Sequence, residues 1–120
     1  MRSVTHLLGV PIDRLTEGQF LGRIEEFISS GTPHMVFYAN ADGINRAVLD
    51  RRYAKILQEA NLICADGMGV VWAAKLTGEP LPERVNVGDM IEPVCALAAR
   101  KGYRLFLLGG APGVARPRNW

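Results

Sequence analysis

Cysteine is scarce in this sequence. Cys64 and Cys95 are the full complement, and neither belongs to a CxxC spacing. That excludes a disulfide framework and a zinc site, and both thiols are expected to be buried and reduced in a cytosolic protein. Long apolar runs are missing too. None approaches the roughly 20 residues of a spanning helix. The run Leu7-Leu8-Gly9-Val10 is cut short by Pro11 and Asp13, so the N-terminus does not read as a signal peptide. Any membrane contact is therefore expected to be peripheral. Charge of one sign is also lacking, with 14 Lys+Arg against 12 Asp+Glu. No concentrated basic face argues for nucleic acid. His6 and His34 lie far apart without a carboxylate at metal-ligand spacing, so no metal is expected. Gly109-Gly110-Ala111-Pro112-Gly113 fails the GxGxxG pattern, which removes the dinucleotide fingerprint.

What remains is a chain of 120 residues, 48% hydrophobic and 22% charged, enough for one globular core. Its pattern alternates. Val4 to Val10 reads as a short strand ended by Pro11. Thr16 and Gln19 form a T-x-x-Q capping box, and Phe20, Ile24, Phe27 and Ile28 follow at helical spacing. Gly31-Thr32-Pro33 stops that helix. Met35 to Ala39 is a continuous apolar run, too short for a helix, which predicts a strand covered on both faces. Ile44, Ala47 and Val48 mark one helical face, and Tyr53, Ile56, Leu57 and Ala60 another. Leu62 to Ala65 predicts a second buried strand, and Val70 to Leu76 a helix ended by Gly78 and Pro80. Ile91, Val94, Cys95 and Ala98 mark a further helix, closed by Lys101-Gly102. Arg104 to Leu108 predicts a third buried strand. Strand alternating with helix is the signature of an α/β domain with a parallel sheet and flanking helices, Rossmann-like in kind.

In such sheets ligands bind at the carboxyl ends of the strands. Three strand ends qualify: Tyr38-Ala39-Asn40-Ala41-Asp42, Ala65-Asp66-Gly67-Met68-Gly69, and Leu108-Gly109-Gly110. The turns that follow aim helix N-termini into one crevice, an arrangement suited to phosphate. Position alone favours Asp66 as an N-cap, accepting from Met68 or Gly69. Gly67 and Gly69 shift the balance, because a cap gains nothing from glycines in the first turn, whereas a ligand lying against the backbone needs them. Asn40 and Asp42 also fit turn and cap roles. Arg51, Arg52 and Lys55 read as a solvated helix face.

The path from Leu8-Gly9-Val10-Pro11-Ile12-Asp13 to Leu107-Leu108-Gly109-Gly110 resembles the WecG/TagA/CpsF family of bacterial glycosyltransferases. The most specific pieces are Asn40-Ala41-Asp42, Ala65-Asp66-Gly67-Met68-Gly69-Val70-Val71, and Leu81-Pro82-Glu83-Arg84-Val85 leading into Gly88-Asp89. The resemblance implies transfer of an N-acetylmannosamine-type sugar or its uronic acid from a UDP donor. The acceptor it implies is an undecaprenyl-diphosphate-linked sugar in cell-wall or exopolysaccharide synthesis. It implies inversion without a metal or other cofactor, with Asp66 as general base, Arg84 toward the departing UDP, and Asn40 toward the donor. The absence of a DxD pair agrees with that. Tyr38 stands where many members carry threonine; its phenol can still donate a hydrogen bond. Gly67, Gly69, Asp42, Gly88, Asp89 and Gly109 complete the expected substrate-binding set.

Family members continue well past this length, many with a C-terminal appendage that docks on the membrane. The expectation is therefore a single α/β domain over residues 1–120, lacking part of its C-terminal side and placed at the inner face of the cell membrane. The competing expectation is a catalytically incompetent nucleotide-binding α/β module left by truncation. The sequence sets no oligomeric state.

Overall fold

A computed structural model describes residues 2–82, 85 and 87–113. The chain opens with an antiparallel hairpin, β1 (Val4–Leu7) and β2 (Val10–Asp13), rather than one strand ended by Pro11. Pro11 lies inside β2, opposite His6. The missed turn is Leu8-Gly9, with φ of 50° and 83°. Two successive positive φ values make the primed turn that matches the twist of a two-residue hairpin. Sequence reading expects Asn-Gly or Gly-Gly there, so a leucine hides the signal.

Helix α1 (Glu17–Ser29) begins at the predicted capping box. Thr16 Oγ1 accepts from Gln19 N–H, and the Gln19 side chain accepts from Thr16 N–H. Strand β3 (Val36–Ala39) follows, then α2 (Ala41–Leu49), α3 (Arg51–Glu59), β4 (Leu62–Ala65), α4 (Met68–Leu76) and α5 (Val87–Lys101). β3 and β4 pair in parallel, Val36 opposite Leu62 and Ala39 opposite Ala65. The predicted parallel sheet is present, with two strands among the described residues.

The alternation of side chains divides the core between the two faces of that sheet. Phe37, Ala39, Ile63 and Ala65 pack with Ile44, Ala47, Leu57, Val70 and Ala74 from α2, α3 and α4. The hairpin residues Leu7, Val10 and Ile12 complete this larger cluster. On the other face Val36, Tyr38, Leu62 and Cys64 meet Phe20 of α1, Val85 ahead of α5, and Met90 in the first turn of α5. All four residues of β4 are buried, as expected of a strand covered on both sides.

The hairpin is fastened to β4 through Asp13. Leu62 and Asp66 send their N–H groups to carbonyls of the β3 segment, so the N–H of Ile63 between them faces the opposite edge. Asp13 Oδ2 accepts that N–H at 2.7 Å. Arg2 grips the same carboxylate with two hydrogen bonds, 2.8 Å to Oδ1 and 2.9 Å to Oδ2. This raises the Arg2 guanidinium pKa through the hydrogen bond and the charge of Asp13, against the lowering effect of burial.

Three packing expectations are corrected. Residues Arg104–Leu108 form no strand, and Phe106, Leu107 and Leu108 are about nine-tenths exposed (87%, 87% and 91%). A strand needs a neighbour for its backbone groups, and no described residue pairs with this run. Cys95 lies on the outer face of α5 and is exposed, whereas Cys64 is buried as predicted. Ile28, Val48 and Ile56 are also exposed, since each helix buries a narrower stripe than its apolar residues could cover.

Candidate active site at the carboxyl ends of the parallel strands

β3 and β4 run in the same direction, so their carboxyl ends deliver Asn40 and Asp66 to the same edge of the sheet. The main chain holds the two ends together, Asp66 N–H donating to the Ala39 carbonyl at 2.9 Å. Asn40 is the N-cap of α2. Its Oδ1 accepts from Gly43 N–H at 2.8 Å, which confirms the turn-and-cap reading, and the residue is exposed. Asp42 is exposed in the first turn of the same helix, where the dipole favours a carboxylate.

Asp66 behaves differently. The N-cap of α4 is Gly67, and no side chain caps that helix. This overturns the cap reading of Asp66. Its carboxylate is half-buried and makes no hydrogen bond to a described residue. A residue with φ of +91° and ψ of 156° separates it from the helix, and that residue must be glycine. Gly67 is thus explained by backbone conformation and not by clearance for a ligand. Gly69 remains open to the clearance reading. A Cβ there would meet only the Ala41 Cβ at 3.9 Å, an ordinary contact, and no positive φ demands glycine.

Tyr38 points to the sheet face of Phe20, with ring centroids 6.3 Å apart. Burial pushes its phenol up to about 12, helped by Cys64 and by the negative charge of Asp66. The hydroxyl is therefore protonated throughout the neutral range and feels the Asp66 carboxylate. Burial likewise pushes the Cys64 thiol up to about 12, with Asp13 adding to it. Cys64 is an uncharged part of the core.

Gly88 and Asp89 are exposed in the first turn of α5, whose Met90 packs in the same cluster as Tyr38. Gly109 follows no strand, so the third predicted strand end is not assembled with the other two. Arg84 lies outside the described residues. The feature sequence reading missed is Asp13, taken as a mere interruption of an apolar run. Its only signal was a carboxylate closing a short β-leaning segment.

A two-stranded parallel sheet with helices packed on both faces defines an α/β protein, a class in which ligands bind at the carboxyl ends of the strands. The family model described as glycosyl transferase, WecG/TagA/CpsF family, matches residues 5–118, and the chain belongs to that family. Among its curated relatives are the N-acetylglucosaminyldiphosphoundecaprenol N-acetyl-beta-D-mannosaminyltransferases of Staphylococcus aureus strains NCTC 8325 and COL. Each is 30% identical over 116 residues, which is 95% of this chain and 46% of the relative. The chain thus spans about half the length of the relatives it matches.

Proposed function

We propose that the chain is an α/β glycosyltransferase unit that moves an N-acetylmannosamine-type sugar from a UDP donor to a sugar carried on undecaprenyl diphosphate. The observation that carries this reading is Asp66, a half-buried carboxylate at a strand end with no hydrogen bond to a described residue, beside an uncapped helix. The relatives, which act on N-acetylglucosaminyldiphosphoundecaprenol by name, suggest the acceptor class.

The chemistry follows from the groups present. The acceptor hydroxyl attacks the anomeric carbon and loses its proton to Asp66. The bond to UDP breaks on the opposite face, which inverts the centre, and UDP leaves with the electron pair. The negative charge that builds on the diphosphate is met by the free N–H groups and positive end of α4, and by Arg84. Tyr38, protonated at neutral pH, donates a hydrogen bond at the same edge. The Asn40 amide and Gly69 line the approach of the donor, with Asp42, Gly88 and Asp89 at its margin. This scheme is independent of a metal. No helix among the described residues is long and apolar enough to cross a membrane. Meeting a lipid-linked acceptor then calls for peripheral contact at the inner membrane face.

The test is direct. Purified chain is given UDP-N-acetylmannosamine and N-acetylglucosaminyl-diphosphofarnesol in the presence of EDTA, and the disaccharide product is followed by mass spectrometry. Product formation supports the reading. UDP bound by calorimetry with no product formed would replace it with that of a nucleotide-binding module.

A further inference from the structure

A cleft of about 330 Å³ runs beside α4 on the face of the sheet opposite Tyr38. Its walls are mostly apolar, Leu7 and Leu8 of the hairpin, Ile44 of α2, and Val70, Ala73 and Leu76 of α4, with His6 and Asn45 beside them. One end is bounded by Ala41 and Gly69, directly after Asn40 and close after Asp66. The other reaches Thr77, so the cleft follows α4 for about 12 Å at 1.5 Å per residue. It therefore begins at the strand-end site and leads away from it along an apolar wall.

Leu8 marks the cleft independently. It is the one described non-glycine residue with positive φ, at 50°, and it is 69% exposed. A leucine in that conformation is strained and gains little burial in return, whereas asparagine or glycine would suit the turn. Strain kept at an exposed position points to a use for the side chain. Leu76, across the cleft, is 90% exposed and equally unrewarded by the fold.

We propose that this cleft seats the first isoprene units of the acceptor's polyprenyl chain, an inference that rests on the acceptor class proposed above. The diphosphate-linked sugar lies at the strand ends, and the hydrocarbon leaves past Gly69 and Ala41 between Leu8 and Leu76. The walls are mostly apolar, which favours a hydrocarbon chain over a second charged group. The cleft thereby selects lipid-linked acceptors over free sugars.

The experiment compares N-acetylglucosaminyl-diphosphofarnesol with N-acetylglucosamine 1-phosphate, which lacks the lipid, by calorimetry on the whole chain. Wild type should prefer the farnesyl compound by about tenfold or more, the value of burying a modest apolar area. The double variant Leu8→Asn, Leu76→Glu should lose that preference and keep its affinity for the lipid-free compound. Asparagine suits the turn, and Leu76 is on the surface, so the variant is expected to fold, with circular dichroism as the check. A preference undiminished in the folded variant overturns the inference. So does a variant that loses binding to phosphatidylglycerol vesicles free of lipid-linked sugar, because the surface is then a membrane contact. If wild type binds the lipid-free compound without preferring the farnesyl one, the inference fails alone. If wild type binds neither compound, the proposed acceptor fails and takes the inference with it.

Discussion

Asp13 ends strand β2 and Asp66 directly follows β4, yet the fold treats them in opposite ways. Asp13 is 4% exposed and saturated, with two hydrogen bonds from Arg2 and one from the Ile63 N–H. Asp66 is half-buried and makes no hydrogen bond to a described residue. The helix starts divide in the same way. Thr16, Asn40 and Asp50 cap α1, α2 and α3 with their side chains, while α4 has none. Among the described residues, the Asp13 carboxylate and the first three helix starts have side-chain hydrogen bonds, whereas the Asp66 carboxylate and the start of α4 have none. The proposed role of Asp66 rests on this difference, since polar groups that a fold does not use for itself are where function is sought first.

The comparison predicts its own largest break. Asp13→Ala leaves the Ile63 N–H unpaired inside the core and strands Arg2, and should cost about 3 kcal/mol in urea unfolding. Asp66→Ala, with no side-chain hydrogen bond to a described residue to lose, should cost less than about 0.5 kcal/mol. Equal losses in the two variants would erase the distinction between the two ends.

The glycines sharpen it next. Gly67→Ala forces a side chain into φ of +91° and should destabilise the fold by about 1–2 kcal/mol. Gly69→Ala, in an ordinary helical position, should stabilise by about 0.5–1 kcal/mol while weakening UDP binding. Thermal melts paired with calorimetry read both. Unchanged UDP affinity in Gly69→Ala would remove that glycine from the site.

The smallest effect lies in alkaline solution. Cys64 and Tyr38 have folded-state pKa values raised to about 12 from ordinary values of 9.0 and 10.0. A raised pKa in the folded state means that the unfolded chain gives up its proton first. The stabilisation is therefore complete below about pH 9 and lost as pH climbs toward 12. Cys64→Ala should flatten the early part of that decline in a melting-temperature series from pH 8 to 11. A wild-type decline that begins below pH 8 would point to other groups.

Much of this was legible from the residues. Capping at Thr16, the apolar runs at Met35–Ala39 and Leu62–Ala65, and the glycine stops gave α1, β3, β4 and the parallel pairing. These signals are local, which is why they read correctly. The hairpin turn was hidden because Leu8 defies the usual turn chemistry. The run at Arg104–Leu108 has a strand's composition, but composition cannot supply a pairing partner. At the site, strand-end position pointed to Asn40 and Asp66, and the structure brings both to one edge. Sequence could not tell that Asp66 leaves α4 uncapped, nor that Asp13 reaches across 50 residues to Ile63. Both facts are tertiary.

The central claim is that Asp66 is kept open for proton transfer. Asp66→Asn preserves the size of the side chain and removes its basicity. Transfer from UDP-N-acetylmannosamine, measured beside the melting temperature and UDP affinity of the same variant, tests the claim most directly. The account predicts a loss of turnover of roughly 10²-fold or more, with melting and UDP binding little changed. Near-normal turnover in Asp66→Asn, together with a clear drop in stability in Asp66→Ala, would contradict it and return the residue to a structural role.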